Sequence, residues 1–186
     1  YDFAETPKAL LFAERCHGGQ RRKGPAKLPY IIHPLTMACH ALALGLAEDE
    51  LIATALLHDT CEDCHILPEE LPVNATVQEA VRRLSFFPEP GVEHSVARDR
   101  YFARIPGNRI AVLTKLLDRC NNLSYMVYGF SRDKLLDYIE ETERAVMPLL
   151  TYAEENYPHD ANALFLLNYQ MHSTMNSIRA LLEREL

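Results

Sequence analysis

Apolar residues recur along this chain at the spacing of helix faces, and the strict alternation of half-buried strands is rare. The first clear segment fills positions i, i+3, i+4, i+7 and i+11 of one face, with Leu35, Ala38, Cys39, Leu42 and Leu46. Further helices are predicted over about 48–57, 77–84, 96–105, 110–127, 134–155 and 161–185. Glycine and proline lie between these segments. The pattern predicts an all-α protein, a compact helical bundle with short connections.

The length of 186 residues fits one domain with a substantial core. The chain has no internal repeat, no low-complexity tract and no linker long enough to divide it. We therefore predict a single domain over 1–186, with a motif-bearing core over about 5–125 and C-terminal helices over about 131–186. These last helices would pack over the core or form a contact in a homo-oligomer. The proline-rich segment 86–95 is the candidate for a mobile loop.

Composition excludes several classes of function. The net charge of −7 argues against a broad nucleic-acid-binding surface. No apolar run approaches the roughly 18–20 residues that cross a bilayer, and no signal-peptide pattern opens the sequence. Five cysteines, an odd number without even spacing, argue against a disulfide framework and for a reducing compartment. We expect a cytoplasmic protein that needs neither membrane nor nucleic acid.

Positive charge is concentrated in one place. Gln20-Arg21-Arg22-Lys23 is followed closely by Lys27. In an acidic chain, such a cluster is where a polyanionic small molecule would bind. Taken alone, it would more often be a solvated loop.

The segment His58-Asp59-Thr60-Cys61-Glu62-Asp63 is the densest chemical signal in the sequence. Asp59 lies three residues before Glu62 and four before Asp63, which places these side chains on one face if the helix continues. So many acidic or metal-binding groups would repel one another unless a cation or a proton intervened. A bound metal ion removes that cost.

Two further ligand candidates lie elsewhere in the chain. His33 precedes Pro34, which suits the first turn of the following helix, so His33 is expected at a helix entrance. Asp118 interrupts an apolar helical stretch, where a carboxylate points inward only if it has a partner. Asn121 and Asn122 follow on the same face, three and four residues later.

Four segments together resemble a known family. The order His…His-Asp…Asp is the signature of the HD phosphohydrolase superfamily. The match is most similar to the hydrolase domain of the RelA/SpoT family, which removes the 3′-pyrophosphate of (p)ppGpp. It covers roughly residues 5–125 in order and with similar spacing, and the matching segments are Gln20-Arg21-Arg22-Lys23, Pro29-Tyr30-Ile31-Ile32-His33-Pro34, Ala55-Leu56-Leu57-His58-Asp59-Thr60-Cys61-Glu62-Asp63 and Lys115-Leu116-Leu117-Asp118-Arg119-Cys120-Asn121-Asn122-Leu123. Since no room for a synthetase domain follows, the resemblance implies a small, hydrolase-only relative.

The resemblance implies a role for each matching residue. One divalent metal ion, typically manganese, would be held by His33, His58, Asp59 and Asp118. Glu62 and Asp63 would position and activate the attacking, metal-bound water. The nucleotide, with a guanine base, would be bound by Arg22, Lys23, Asn122 and, by a looser alignment, Thr142.

Physical chemistry supports the same mechanism. Two imidazoles and two carboxylates form a donor set that suits Mn, Fe, Co or Zn, with Mg also open, and leave positions for water and a phosphate oxygen. A divalent ion can lower the pKa of its water from about 15.7 toward 7. Glu62 or Asp63 would then orient or deprotonate that water.

The sequence also departs from the family pattern. Ser124 stands where the family usually has an arginine, and Arg98, Arg100 and Arg104 are only candidate phosphate contacts. Two alternatives therefore stay open: an HD-type nucleotidase or nucleoside-triphosphate hydrolase, and a non-catalytic nucleotide-binding module. Cys61-x-x-Cys64 lacks a second cysteine pair and a βαβ context, so we expect no thiol function from it.

Overall fold

A computed structural model of the chain describes residues 2–24, 26–88 and 90–184. Within those ranges the protein is all-α, as predicted, with one isolated β-bridge between Arg21 and Pro29. Its ten α-helices are α1 (Glu5–His17), α2 (Ile32–Ala43), α3 (Asp49–Leu57), α4 (Thr60–Cys64), α5 (Ala75–Leu84), α6 (His94–Ala103), α7 (Arg109–Tyr125), α8 (Arg132–Glu141), α9 (Met147–Asn156) and α10 (Ala161–Arg184). None of the described helices is both long and apolar enough to cross a membrane.

Helix α1 was not predicted, and its packing explains why. Its buried face carries small side chains, with Ala9 and Ala13 fully buried against the core, whereas Leu10 and Leu11 are 37% and 54% exposed. The large apolar residues therefore do not mark the inward face. A search for apolar periodicity passes over such a helix.

The predicted helix over 134–155 is divided in the structure. Helices α8 and α9 are joined by a π-helical turn over Thr142–Val146. Pro148 follows in the first turn of α9, where it cannot donate the backbone hydrogen bond that would continue a regular helix. Within the segment 86–95, predicted as a loop, Glu89 lies outside the described residues, and His94 already begins α6.

Helix α7 is the centre of the fold. Its apolar side chains are buried on almost every side, because α2, α3 and α5 pack on one flank and α9 and α10 on the other. The C-terminal helices thus cover the motif-bearing part of the chain, as one of the two predicted arrangements requires. This position places Asp118, in the middle of α7, among the N-terminal helices that carry the other candidate ligands.

The structure contains one disulfide, whereas the cysteine count argued against a disulfide framework. Cys16, in the last turn of α1, is bonded to Cys64, the last residue of α4, while Cys39, Cys61 and Cys120 are free. The two partners are 48 residues apart, and their Cα atoms come within 6.1 Å because α1 packs on α4. Cysteine count and spacing contain no information about such a contact.

The start of α1 is fixed by a side chain from α3. The carboxylate of Asp49 accepts hydrogen bonds from the backbone N–H groups of Ala4, Glu5 and Thr6 at 2.7–2.8 Å. The Thr6 hydroxyl donates to it as well, at 2.7 Å. These N–H groups have no partner within their own helix, and the carboxylate also opposes the positive end of the helix dipole.

We expect Asp49→Ala to lower the free energy of unfolding by about 1–2 kcal/mol, the range of a lost N-terminal cap. Urea denaturation followed by circular dichroism measures the change. Glu155→Ala, at an exposed site near the end of α9, is the matched control and should change stability by less than about 0.5 kcal/mol. Equal effects of the two variants would contradict the role assigned to Asp49.

Candidate metal centre and adjoining cavities

Two buried imidazoles face the same point from different helices. His33, on α2, donates from Nδ1 to the side-chain oxygen of Asn121 at 2.7 Å, and His58, just after α3, donates from Nδ1 to the carbonyl oxygen of Ala55 at 2.9 Å. Because both acceptors are carbonyl oxygens, the proton of each ring must be on Nδ1. Neither Nε2 atom has a hydrogen-bond partner among the described residues, although both are buried. When these rings are neutral, the Nε2 lone pair of each is therefore available to a metal ion.

Two carboxylates meet these nitrogens. Asp118 Oδ1 lies 3.2 Å from Nε2 of His33 and 3.7 Å from Nε2 of His58. Asp59 Oδ2 lies 3.0 Å from Nε2 of His58 and 3.9 Å from Nε2 of His33. The Tyr30 hydroxyl donates a short hydrogen bond to the same Asp59 oxygen and orients it. The structure therefore brings together all four side chains that the sequence analysis selected.

This donor set fits a divalent cation. Atoms of His33, His58 and Asp118 lie within 4.8 Å of one another, which is close enough for one ion to contact all three. A pair of neutral imidazoles with buried, unpartnered Nε2 atoms is costly in a protein interior unless a ligand accepts those lone pairs. The hydrogen bonds at Nδ1 are the outer contacts that usually fix metal-binding histidines.

Asp118 remains charged although it is buried. Burial alone would raise its pKa, but the neighbouring Lys115 ammonium outweighs burial and holds the pKa of Asp118 well below its usual range. Lys115 Nζ lies 2.9 Å from Asp118 Oδ2, one helical turn earlier on α7. Asn122 donates to the other carboxylate oxygen at 2.6 Å. Lys115 was not selected from the sequence, although its i, i+3 spacing to Asp118 was visible there.

The two acidic residues of α4 point to different surroundings. Glu62 lines the cavity beside His58 and Asp59, and its Oε1 accepts a hydrogen bond from the backbone N–H of Phe86 at 2.6 Å. Burial, with the nearby charge of Asp59, raises the pKa of Glu62 to about 7. Asp63 is on the outer side of α4, with Oδ2 3.7 Å from Nδ1 of His17.

The cavity at the candidate metal centre is small, and three basic side chains line it. Its volume is about 160 Å³, and besides the candidate ligands it is lined by Arg98, Lys115 and Arg119. Arg98 is held by Glu141 at 2.8 Å and lies over the rings of Phe86, Tyr101 and Phe102. These basic side chains share the cavity with the carboxylates of Asp59, Glu62 and Asp118.

A larger cavity of about 310 Å³ adjoins it and contains the basic cluster from the sequence analysis. Arg22, Lys23 and Asn122 line it together with Tyr125 and Tyr138. The Arg22 guanidinium lies 4.6 Å from the centre of the Tyr125 ring and donates to Asn122 Oδ1 at 2.9 Å. It also donates to Asn121 Oδ1 at 3.3 Å, so that one amide oxygen accepts from both Arg22 and His33.

The loop that carries Arg22 is fixed at both of its ends. Arg22 N–H donates to the carbonyl of Leu28 at 2.8 Å, and Tyr30 N–H donates to the carbonyl of Gln20 at 3.0 Å. At its tip, Gly24 adopts a φ of +119° and approaches Gly129 so closely that a Cβ on Gly129 would lie 3.0 Å from the Gly24 nitrogen. The absence of side chains there lets the loop pack against the end of α7.

Comparison with known proteins decides the family. The chain is 40% identical to MESH1, a guanosine-3′,5′-bis(diphosphate) 3′-pyrophosphohydrolase of Xenopus tropicalis, over 164 residues that cover 80% of this chain and 86% of that protein. Human MESH1, of the same name, is 31% identical over 162 residues, which cover 78% and 85% of the two chains. The chain belongs to the MESH1 family of guanosine-3′,5′-bis(diphosphate) 3′-pyrophosphohydrolases.

The chain is also similar to part of a longer bacterial protein and to a solved structure. The pyrophosphohydrolase of Aquifex aeolicus is 33% identical over 150 residues, but the match spans only 21% of that protein. The solved structure of a metazoan ortholog of SpoT that hydrolyses ppGpp superposes with a TM-score of 0.69, over 96% of this chain and 95% of the other. At 20% identity, that likeness shows the shared fold. No protein-family model matches the chain.

Other residues selected from this MESH1-family sequence lie outside the cavities. The Thr142 side chain is fully buried in the π-helical turn, where its hydroxyl donates to the carbonyl of Tyr138 at 2.7 Å and accepts from Arg119 at 3.0 Å. Arg104 donates to the carbonyls of Arg83 and Ser85 instead of lining the metal cavity. Thr142 therefore contacts a cavity-lining arginine, and its substrate contact stays a prediction.

Asn121 gives a test of the metal centre that does not depend on activity. We expect Asn121→Ala to weaken Mn²⁺ binding about 10–100-fold, because His33 loses the acceptor that fixes its ring and tautomer. Isothermal titration calorimetry on metal-free protein measures the affinity. Asn156→Ala, which removes an exposed amide bonded to the Tyr152 carbonyl, is the control and should bind Mn²⁺ normally. Unchanged binding by Asn121→Ala would contradict the role assigned to this hydrogen bond.

Proposed function

We propose that this protein removes the 3′-pyrophosphate of guanosine-3′,5′-bis(diphosphate), ppGpp, and releases GDP and pyrophosphate. The observation that carries the proposal is the pair of buried, unpartnered Nε2 atoms of His33 and His58, which face two carboxylates beside a cation-lined cavity. Relatives named for this activity, at 31% and 40% identity over most of their length, support the substrate.

His33, His58, Asp59 and Asp118 would hold one divalent ion, for which Mn²⁺ is our proposal. Such an ion polarises a phosphoryl oxygen and lowers the pKa of water. The chain supplies fixed donors for it, because Asn121, Tyr30 and Lys115 each hold a ligand from outside. Fixed ligands avoid reorganisation during the reaction.

Glu62 is the residue that we assign to proton transfer. It lines the metal cavity, and its carboxylate is held in position by the backbone N–H of Phe86. Its pKa, raised to about 7, is close to the value at which a carboxylate accepts a proton most efficiently near neutral pH. Asp63 would assist from the outer side of α4, where its carboxylate faces the imidazole of His17.

The substrate's charge is matched by the two cavities. Arg98, Lys115 and Arg119 line the small cavity and would offset the charge of the 3′-pyrophosphate as it leaves. Arg22 and Lys23 line the larger one, where a guanine base and the 5′-phosphates would bind. The planar guanidinium of Arg22, which lies 4.6 Å from the centre of the Tyr125 ring, is suited to stacking on a base.

The direct experiment is to incubate purified protein with Mn²⁺ and ppGpp and to measure GDP and pyrophosphate by anion-exchange chromatography. We expect stoichiometric release of both products, and loss of at least 10³-fold in kcat for Asp118→Asn, which removes a ligand charge. Asp133→Asn, at an exposed carboxylate in the first turn of α8, is the matched control and should keep wild-type activity. No turnover by a protein shown to contain metal would reject the proposal.

Ser124 motivates the second candidate, an HD-type nucleotidase or nucleoside-triphosphate hydrolase. Its hydroxyl donates to the carbonyl of Cys120 at 3.0 Å, and no arginine stands at this position to meet a phosphate. A panel of guanine and adenine nucleotides, screened for phosphate and pyrophosphate release, separates the two activities. Preference for 5′-monophosphates would favour the nucleotidase, and tight binding of ppGpp without release of any product would favour the non-catalytic module.

Glu62 also predicts a pH dependence. Its raised pKa means that the carboxylate needed as proton acceptor is lost as pH falls below about 7, so kcat should decline on the acidic side. A bound divalent cation moves this limb to lower pH, because it favours the charged carboxylate. We expect Glu62→Gln to reduce kcat by about 10²–10⁴-fold and to abolish the acidic limb. A Glu62→Gln profile that keeps the wild-type limb would assign the ionisation to another group.

A further inference from the structure

The disulfide between Cys16 and Cys64 lies directly behind the acidic pair. Cys64 follows Asp63 in the chain, and Cys16 precedes His17, whose Nδ1 is 3.7 Å from Asp63 Oδ2. Cys16 Sγ also lies 3.8 Å from the carbonyl oxygen of Thr60, at the other end of α4. The disulfide therefore joins the last turn of α1 to the residue that follows Asp63.

Helix α4 needs an attachment of this kind. It has only five residues, too few to be stable by itself, and it ends at His65, which has a φ of +55°. Its first half is held by the buried side chain of Cys61 and by the Thr60 hydroxyl, which donates to the Leu57 carbonyl at 2.6 Å. Its last residue, Cys64, is bonded to α1, and the preceding Asp63 faces His17 of the same helix.

The same contacts lead from the disulfide toward the metal centre. The His17 ring is buried with its centre 4.7 Å from that of Tyr30, and Tyr30 donates to the candidate ligand Asp59. A change in the position of Cys16 would thus first displace the side chains of Asp63 and His17. The ligands His58 and Asp118 are held by separate hydrogen bonds and would be affected less.

We propose that Cys16 and Cys64 form a reversible redox site that positions Asp63, and that the oxidised form is the more active hydrolase. The link to activity rests on the proposed function. In the forward reaction one cysteine thiolate attacks a small disulfide such as oxidised glutathione and displaces a thiol. The second cysteine then displaces the other thiol, so that the protein loses two electrons and two protons and the small disulfide is reduced to two thiols.

The remaining cysteines are less suited to this chemistry. Burial raises the pKa of Cys61 and of Cys120 to about 11, which leaves little thiolate at neutral pH. Cys39 is exposed but has no bonded partner among the described cysteines. Cys16 and Cys64 are both half-buried and thus within reach of a small thiol.

Thiol counting tests the redox site by itself. Protein equilibrated with oxidised glutathione, then denatured and labelled with a maleimide of known mass, should carry three labels, and after reduction it should carry five, since two of the five cysteines are paired. Cys64→Ser should carry four labels after reduction and three after oxidation, because Cys16 then keeps one glutathione as a mixed disulfide. Cys39→Ser, the matched control, should carry two and four. Five labels on oxidised wild-type protein, or a crosslinked dimer on a non-reducing gel, would overturn the proposal.

Hydrogen exchange tests the positioning of Asp63 without reference to catalysis. Reduction should raise amide exchange at residues 62–65 at least 10-fold and leave α3 unchanged, because only the last turn of α4 is released. Reduction should also lower Tm by roughly 5–10 °C, as expected for opening a 48-residue crosslinked loop. Equal exchange in the two redox states would overturn the positioning role even if the disulfide exists.

Activity then tests the final link. Reduced protein, freed of reductant before Mn²⁺ and ppGpp are added, should show kcat lower by about 3–10-fold with KM changed less than about twofold, since Asp63 lies on the helix that carries Glu62 and does not line the larger cavity. Cys64→Ser should have the reduced rate in both states. A redox-independent rate would overturn the regulatory claim. No pyrophosphate release from either form would instead reject the proposed function, while the exchange data still decide the position of Asp63.

Discussion

The buried carboxylate of Asp118 is the constraint on which the rest of the site depends. An isolated charge in the middle of an apolar helix would cost many kcal/mol, and such a group would normally neutralise itself by taking up a proton. Here Lys115 and Asn122, one turn away on the same helix, keep it ionised. The two imidazoles can therefore meet a negative charge, and a cation is the species that satisfies all of them together.

Much of the fold followed from the sequence because the helices are amphipathic in the ordinary way. Apolar spacing predicted α2, α3, α5, α6, α7 and α10 within a few residues. It missed α1, whose buried face consists of alanines while leucines are exposed, and it could not locate the break at the π-helical turn, since one proline decides where the helical hydrogen bonds change. Periodicity records where bulky apolar side chains lie. It is blind to a buried face made of alanines and to a change in backbone hydrogen bonding.

The candidate site divides in the same way. The order of motifs selected His33, His58, Asp59 and Asp118, which come from three separate stretches, and the structure brings them together. Residues that act through a neighbour were harder to select: Tyr30 and Lys115 were visible in the motifs, but their contacts with the two aspartates depend on packing. The Cys16–Cys64 bond was missed entirely, because only the packing of α1 on α4 brings the two sulfurs together.

The single amide oxygen of Asn121 joins the two halves of the site. It accepts from the imidazole of His33 in the candidate metal centre and from the Arg22 guanidinium in the larger cavity, and these bonds use both of its lone pairs. A ligand that draws Arg22 away alters the hydrogen bonding of the histidine on the other side. A ligand in each half would therefore be coupled to the other through Asn121, and thermodynamic reciprocity requires such an effect to be equal in both directions.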